Sequence, residues 1–71
     1  MEAILAVVQP YDIHGTPYFR IVFARKDEPD RTVEGRVAAE GIYKDPAPGD
    51  RVDVRMLLGN IEEVRRLVTP S

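Results

Sequence analysis

Apolar and polar residues alternate along much of the 71-residue chain, and this period of two predicts β-strands. In the clearest segment, Phe19, Ile21 and Phe23 fall on one face. Gly35, in the middle of another, indicates a bulge or a sharp bend. This alternation predicts four strands ahead of the C-terminal segment: 3–9, 18–25, 31–38 and 51–58. The first is apolar on both faces and is therefore expected to be covered on both sides.

The predicted strands are separated by segments rich in proline, glycine and charge. Pro10 is expected to end the first strand, and residues 10–17 form a connection in which Gly15 takes a positive φ. Residues 26–30 carry four charges and a proline, which is typical of a polar turn. Residues 39–50 contain two prolines and two glycines and are expected to form no more than a short helical turn.

The C-terminal part of the chain has two interpretations. Leu58 is expected to point inward at the end of the fourth strand, before a type II′ hairpin turn at Gly59 and Asn60. Alternatively, Asn60 with Glu63 would begin a short helix, because the apolar residues of 61–68 also recur at helical spacing. We favour a strand, because four strands alone would leave a long exposed edge.

Three consecutive strands, a longer connection and a final hairpin predict an all-β fold. The order fits a small five-stranded barrel of the OB type, whose long connection lies between strands three and four, with an SH3-like barrel as the alternative. At this length the chain is expected to form one domain, residues 1–68, followed by a short tail, residues 69–71.

Composition restricts the classes of function that the chain can have. Ten basic and twelve acidic side chains leave a net charge of −2, which gives no bulk attraction to nucleic acid or to anionic membranes. The chain has no cysteine, which excludes disulfides and thiolate metal sites and favours a cytoplasmic location. The apolar run 3–8 is too short to span a membrane. Six prolines and an excess of arginine over lysine fit a thermostable protein, and a GC-rich genome would produce the same excess of arginine.

The residues offer little for catalysis. The carboxylates around Asp27 lie in the polar turn, where they are expected to cap backbone amides. His14 is the single histidine, and together with Asp12 it would supply only two metal ligands. Neither a nucleophilic triad nor a phosphate-binding loop is present. We therefore expect a protein that is not an enzyme and that needs no metal or cofactor.

Two surfaces are candidates for binding. OB folds bind single strands by stacking bases on aromatic rings and holding phosphates with arginine or lysine. Five residues on or near strands two and three could do so: Tyr18, Arg20, Arg36, Tyr43 and Lys44. A second, apolar set could instead form an interface with a protein partner or another copy of the chain: Ile4, Ala6, Val8 and Val22. The leading prediction is a self-associating or partner-docking interaction module, and nucleic-acid binding is the alternative.

Overall fold

A computed structural model of the chain describes residues 1–67. It confirms that the fold is all-β and that the last segment is a strand rather than a helix. A 3-10 helix, Ala39–Gly41, is the only helical turn in the described residues, and Val68 and the predicted tail 69–71 lie outside them. The strands are β1 (Glu2–Ile13), β2 (Thr16–Arg25), β3 (Glu28–Ala38), β4 (Arg51–Leu57) and β5 (Asn60–Arg66).

The five strands form one antiparallel sheet in the order β3-β2-β1-β4-β5. β1 is the central strand, but its two neighbours pair with it very differently. β2 follows it along nearly its whole length, from Ala3 to Ile13, whereas β4 pairs only with Glu2–Ile4. The rest of β1 therefore has one edge without a partner strand.

The predicted closure into a barrel is wrong, because β3 and β5 remain the two edges of the sheet. Side chains fill the space between them. A Cβ atom added at Gly35 would lie 2.6 Å from Cδ1 of Ile61, so the isoleucine occupies the space that the glycine leaves. Beyond the 3-10 helix, Ile42 and Val64 form a single parallel bridge. The glycine thus permits close packing, while the irregularity in the β2–β3 ladder lies at Ala24–Arg25.

The inward faces predicted from the alternation form the core. Ile21 and Phe23 of β2, together with Val52 and Val54 of β4, are completely or almost completely buried. Such burial contributes roughly 1.5–3 kcal/mol per large apolar side chain before conformational entropy is subtracted. The full buried set is Ala3, Leu5, Ile21, Phe23, Val37, Ile42, Val52, Val54, Ile61 and Val64.

A β-bulge at Ala6 explains why β1 is apolar on both faces. Leu5 lies opposite Phe23, but the next paired residue is Val7, opposite Val22. One extra residue changes the face that the following side chains occupy. Val8 consequently packs against the core and Val7 points outward.

The β1–β2 and β4–β5 hairpins each turn through two residues with positive φ. Pro10 does not end β1. Over this part of its length β1 pairs with β2 alone, so a residue without an N–H group fits at the unpaired edge. β1 instead continues to a turn at His14 and Gly15, where the predicted positive φ of the glycine is confirmed at 82°. The β4–β5 turn is one residue earlier than predicted. It uses Leu58 and Gly59, so Leu58 is 92% exposed rather than buried.

Candidate binding surface

The outer face of β1, β2 and β3 holds most of the candidate site residues. It lies opposite the core-facing side of the sheet. The strand register divides it into two regions. The first, which we call the apolar strip, consists of Ile4, Ala6, Val7, Val22 and Ala24. The second, the tyrosine cleft, is lined by Gln9, Pro10, Tyr11, Arg20, Glu34, Gly35 and Arg36.

Cross-strand pairing builds the apolar strip. Ile4 lies opposite Ala24, and Val7 lies opposite Val22. Ile4 is 45% exposed and Val7 is 39% exposed, although both are large and apolar. Of the four residues predicted for this interface, Val8 is the one that the bulge turns into the protein. Val7 takes its place, and nothing in the sequence alone distinguishes the two valines.

Ion pairs border the strip at both ends. At one end, Oε2 of Glu2 lies 2.7 Å from Arg51 and 3.3 Å from Lys26. Hydrogen bonds from Arg51 and then Lys26 hold the pKa of Glu2 below its ordinary value. At the other end, Arg20 contacts Glu34, which is paired with Val22 in the β2–β3 register. The strip is thus an apolar centre with a charged rim.

Tyr11, which belongs to the predicted connection 10–17, lines the tyrosine cleft as part of β1. Tyr11 lies opposite Tyr18, and their rings stack with centroids 5.9 Å apart and planes 27° apart. The His14–Gly15 turn creates this pair, because a two-residue hairpin turn places residues equally distant from it opposite each other. That dipeptide between two proline-containing segments was the signal that could have identified Tyr11.

The two arginines predicted here lie side by side but differ in charge compensation. Arg20 and Arg36 are cross-strand partners on β2 and β3. Nε of Arg20 donates to Oε1 of Glu34 at 2.7 Å, and its Nη1 donates to Oε1 of Gln9 at 3.3 Å. None of the ion pairs among residues 1–67 involves Arg36, which is exposed. The cleft has a volume of about 470 Å³.

Tyr43 and Lys44 do not line this cleft. Tyr43 packs against the core, and its hydroxyl donates to Oδ2 of Asp50 at 2.7 Å. The amide of Ala47 donates to the same carboxylate oxygen. Burial, then the hydrogen bond to Asp50, raises the pKa of Tyr43, and the same bond is the main cause that lowers the pKa of Asp50. Tyr43 therefore organises the β3–β4 connection, and Lys44 is exposed on that connection.

Residues 1–67 offer neither a metal site nor a membrane-spanning helix. That range contains no group of three or more histidine, cysteine or acidic residues placed to hold a metal ion. It also contains no helix with the length and apolar character needed to cross a membrane. Comparison with protein-family models, curated proteins and solved structures finds no match to this chain.

Proposed function

We propose that this protein is a non-enzymatic interaction module that self-associates through the apolar strip. The observation that carries the proposal is the pairing of two exposed apolar side chains of β1, Ile4 and Val7, with half-buried apolar residues of β2, Ala24 and Val22. Single exposed apolar residues are ordinary, whereas neighbours that share one face are typical of an interaction site. Burying the strip would also add apolar contacts to a core that is small in a chain of this size.

The charged rim favours a second copy as the occupant. In a two-fold arrangement with antiparallel strips, the Glu2, Lys26 and Arg51 cluster of one copy would face the Arg20–Glu34 pair of the other, so that each end offers acids to the bases of the opposite end. This pairing is self-complementary, as a two-fold interface requires. A standard interface buries about 800 Å² per partner, from a total surface of 5142 Å². An interface of that size would therefore include the charged rim. The interspersed charges of the rim contribute to specificity and register more than to affinity.

We also assign the fold to the OB class rather than the SH3-like class. In support, the longest connection in the described chain joins β3 to β4, and OB folds are five-stranded, partly open barrels. The parallel bridge between Ile42 and Val64 lies on the side where such a barrel would close. An OB fold with an apolar outer strip gives a compact scaffold for assembly.

Sedimentation equilibrium of the wild-type protein and two variants tests the proposal. The wild type is expected to rise from its monomer mass of 8.0 kDa toward twice that mass as concentration increases. Val7→Asp places a charge in the strip and should remain monomeric while staying folded by circular dichroism. Leu58→Asp is the matched control, because it replaces a more exposed apolar residue outside the strip.

Two results would contradict the proposal. One is a wild-type protein that stays at the monomer mass at every concentration. The other is a control in which Leu58→Asp dissociates the dimer as fully as Val7→Asp, which would attribute association to general surface apolarity.

A further inference from the structure

We propose that the tyrosine cleft is a second binding site, which takes one unpaired base of a single-stranded nucleic acid and holds a neighbouring phosphate on Arg36. This inference does not depend on self-association, because Tyr11 and Arg36 belong to the cleft and to neither the apolar strip nor its rim, although the rim pair Arg20–Glu34 borders both surfaces. It is carried by three features of the cleft: an aromatic wall, a polar floor and an arginine without a carboxylate partner among residues 1–67.

Tyr11 supplies the aromatic wall. Its ring is stacked on Tyr18 at a centroid distance of 5.9 Å, so the pair is packed together before any ligand arrives. A base stacking on Tyr11 would extend this pair to a third ring. Stacking on an aromatic side chain tolerates any base, because every base has a π-face. A volume of about 470 Å³ lies within the range of small-ligand sites and suits one inserted base.

Gln9, Arg20 and Glu34 form the polar floor. Arg20 bonds to the side-chain oxygens of both other residues, which fixes the positions of an amide and a carboxylate beside the cleft. An amide can both donate to and accept from a base edge, and a carboxylate accepts from an exocyclic amino group. The floor thus favours a base that presents an amino group, such as cytosine or adenine.

Arg36 gives the site its net positive charge. Arg20 is neutralised by Glu34, whereas Arg36 has no acidic partner within the described residues. One uncompensated guanidinium can contact one or two phosphates, so binding should depend weakly on salt. The overall charge of −2 and the carboxylate of Glu34 oppose a double-stranded backbone, and a paired base could not enter the cleft.

Fluorescence anisotropy with labelled single strands of about 12 nucleotides, DNA and RNA, tests the site. Binding is expected at about 50 mM salt and should weaken at about 200 mM. Tyr11→Ala should weaken it by about 5- to 150-fold, while Tyr11→Phe retains it. Arg36→Ala should lower the slope of log affinity against log salt by about 0.7. Arg66→Ala is the matched control, since Arg66 is exposed and lies outside the cleft.

Three outcomes would overturn the inference. The first is that neither oligonucleotide binds at the lower salt. The second is that Tyr11→Ala binds as tightly as the wild type. The third is that the cleft binds a proline-rich peptide and neither oligonucleotide. Val7→Asp separates this inference from the proposed self-association. It should lose the dimer and keep oligonucleotide binding, so the two proposals can fail independently.

Discussion

The apolar strip and the tyrosine cleft share the outer face of β1, β2 and β3 but differ in what creates them. Local pairing builds the strip, where Ile4 and Val7 lie opposite Ala24 and Val22 and stay exposed. The cleft depends on a distant turn, because the His14–Gly15 hairpin brings Tyr11 onto Tyr18. The bulge at Ala6 lies between Ile4 and the cleft residues of β1. It determines which face of the sheet each later residue of β1 occupies. One inserted residue therefore decides the chemistry of both regions.

The largest expected effect is the difference in stability between aspartate substitutions at the two valines that follow the bulge. Val8→Asp places a charge against the core and should destabilise the protein by about 3 kcal/mol. Val7→Asp should cost about 1 kcal/mol or less, because its side chain faces solvent. Urea denaturation of both variants measures the difference. Equal losses would mean that the bulge is misplaced.

These adjacent valines also mark the limit of the sequence interpretation. Alternation predicted the buried residues Ile21 and Phe23 of β2 and Val52 and Val54 of β4, because both segments keep a period of two there. β1 does not, since a bulge leaves no signature in a run of apolar residues. The proline at position 10 misled the prediction in a similar way. Proline normally ends a strand that has a partner strand on each side, but at Pro10 β1 has a partner strand on one side only.

The second prediction separates the strip from exposed apolar residues in general. Leu58 has φ of 52°, a left-handed conformation that costs a leucine about 1–2 kcal/mol. Leu58→Asn should stabilise the protein by about 1 kcal/mol, because asparagine before glycine suits this turn. Thermal unfolding checks the gain, and the sedimentation profile should not change. A loss of association on this substitution would move the interface to the β4–β5 turn.

The third prediction is that Tyr43 contributes to stability and not to oligonucleotide binding at the cleft. Tyr43→Phe removes the donor to Asp50 and should lower the Tm by a few degrees, with no effect on oligonucleotide binding. The effect should depend on pH. Because the folded-state pKa of Asp50 is depressed below its ordinary 3.8, its stabilising contribution is present above that value and is lost as the pH falls through the folded pKa. Melting curves should therefore converge in acid. A Tm difference that persists there would assign the loss to packing.

The smallest effect on stability should come from Glu34→Gln, and it sharpens the electrostatic contrast between the regions. The change removes the acid that neutralises Arg20, at an exposed pair whose loss should cost within about 0.5 kcal/mol. Oligonucleotide affinity should rise about fivefold at low salt, since a repulsive charge leaves the cleft. Anisotropy titration checks the rise, and a weaker affinity would mean that the carboxylate contributes more by accepting from the base than it loses by repelling phosphate.

Chemical-shift mapping of the backbone amides by NMR tests the division of this face most directly. Spectra are compared between dilute and concentrated protein, and then with and without a single-stranded oligonucleotide. We expect concentration-dependent shifts at Ile4, Val7 and Val22, and oligonucleotide-dependent shifts at Tyr11 and Arg36. Shifts from both titrations at Ile4, Val7, Tyr11 or Arg36, or shifts at residues away from the outer face of β1, β2 and β3, would contradict the account.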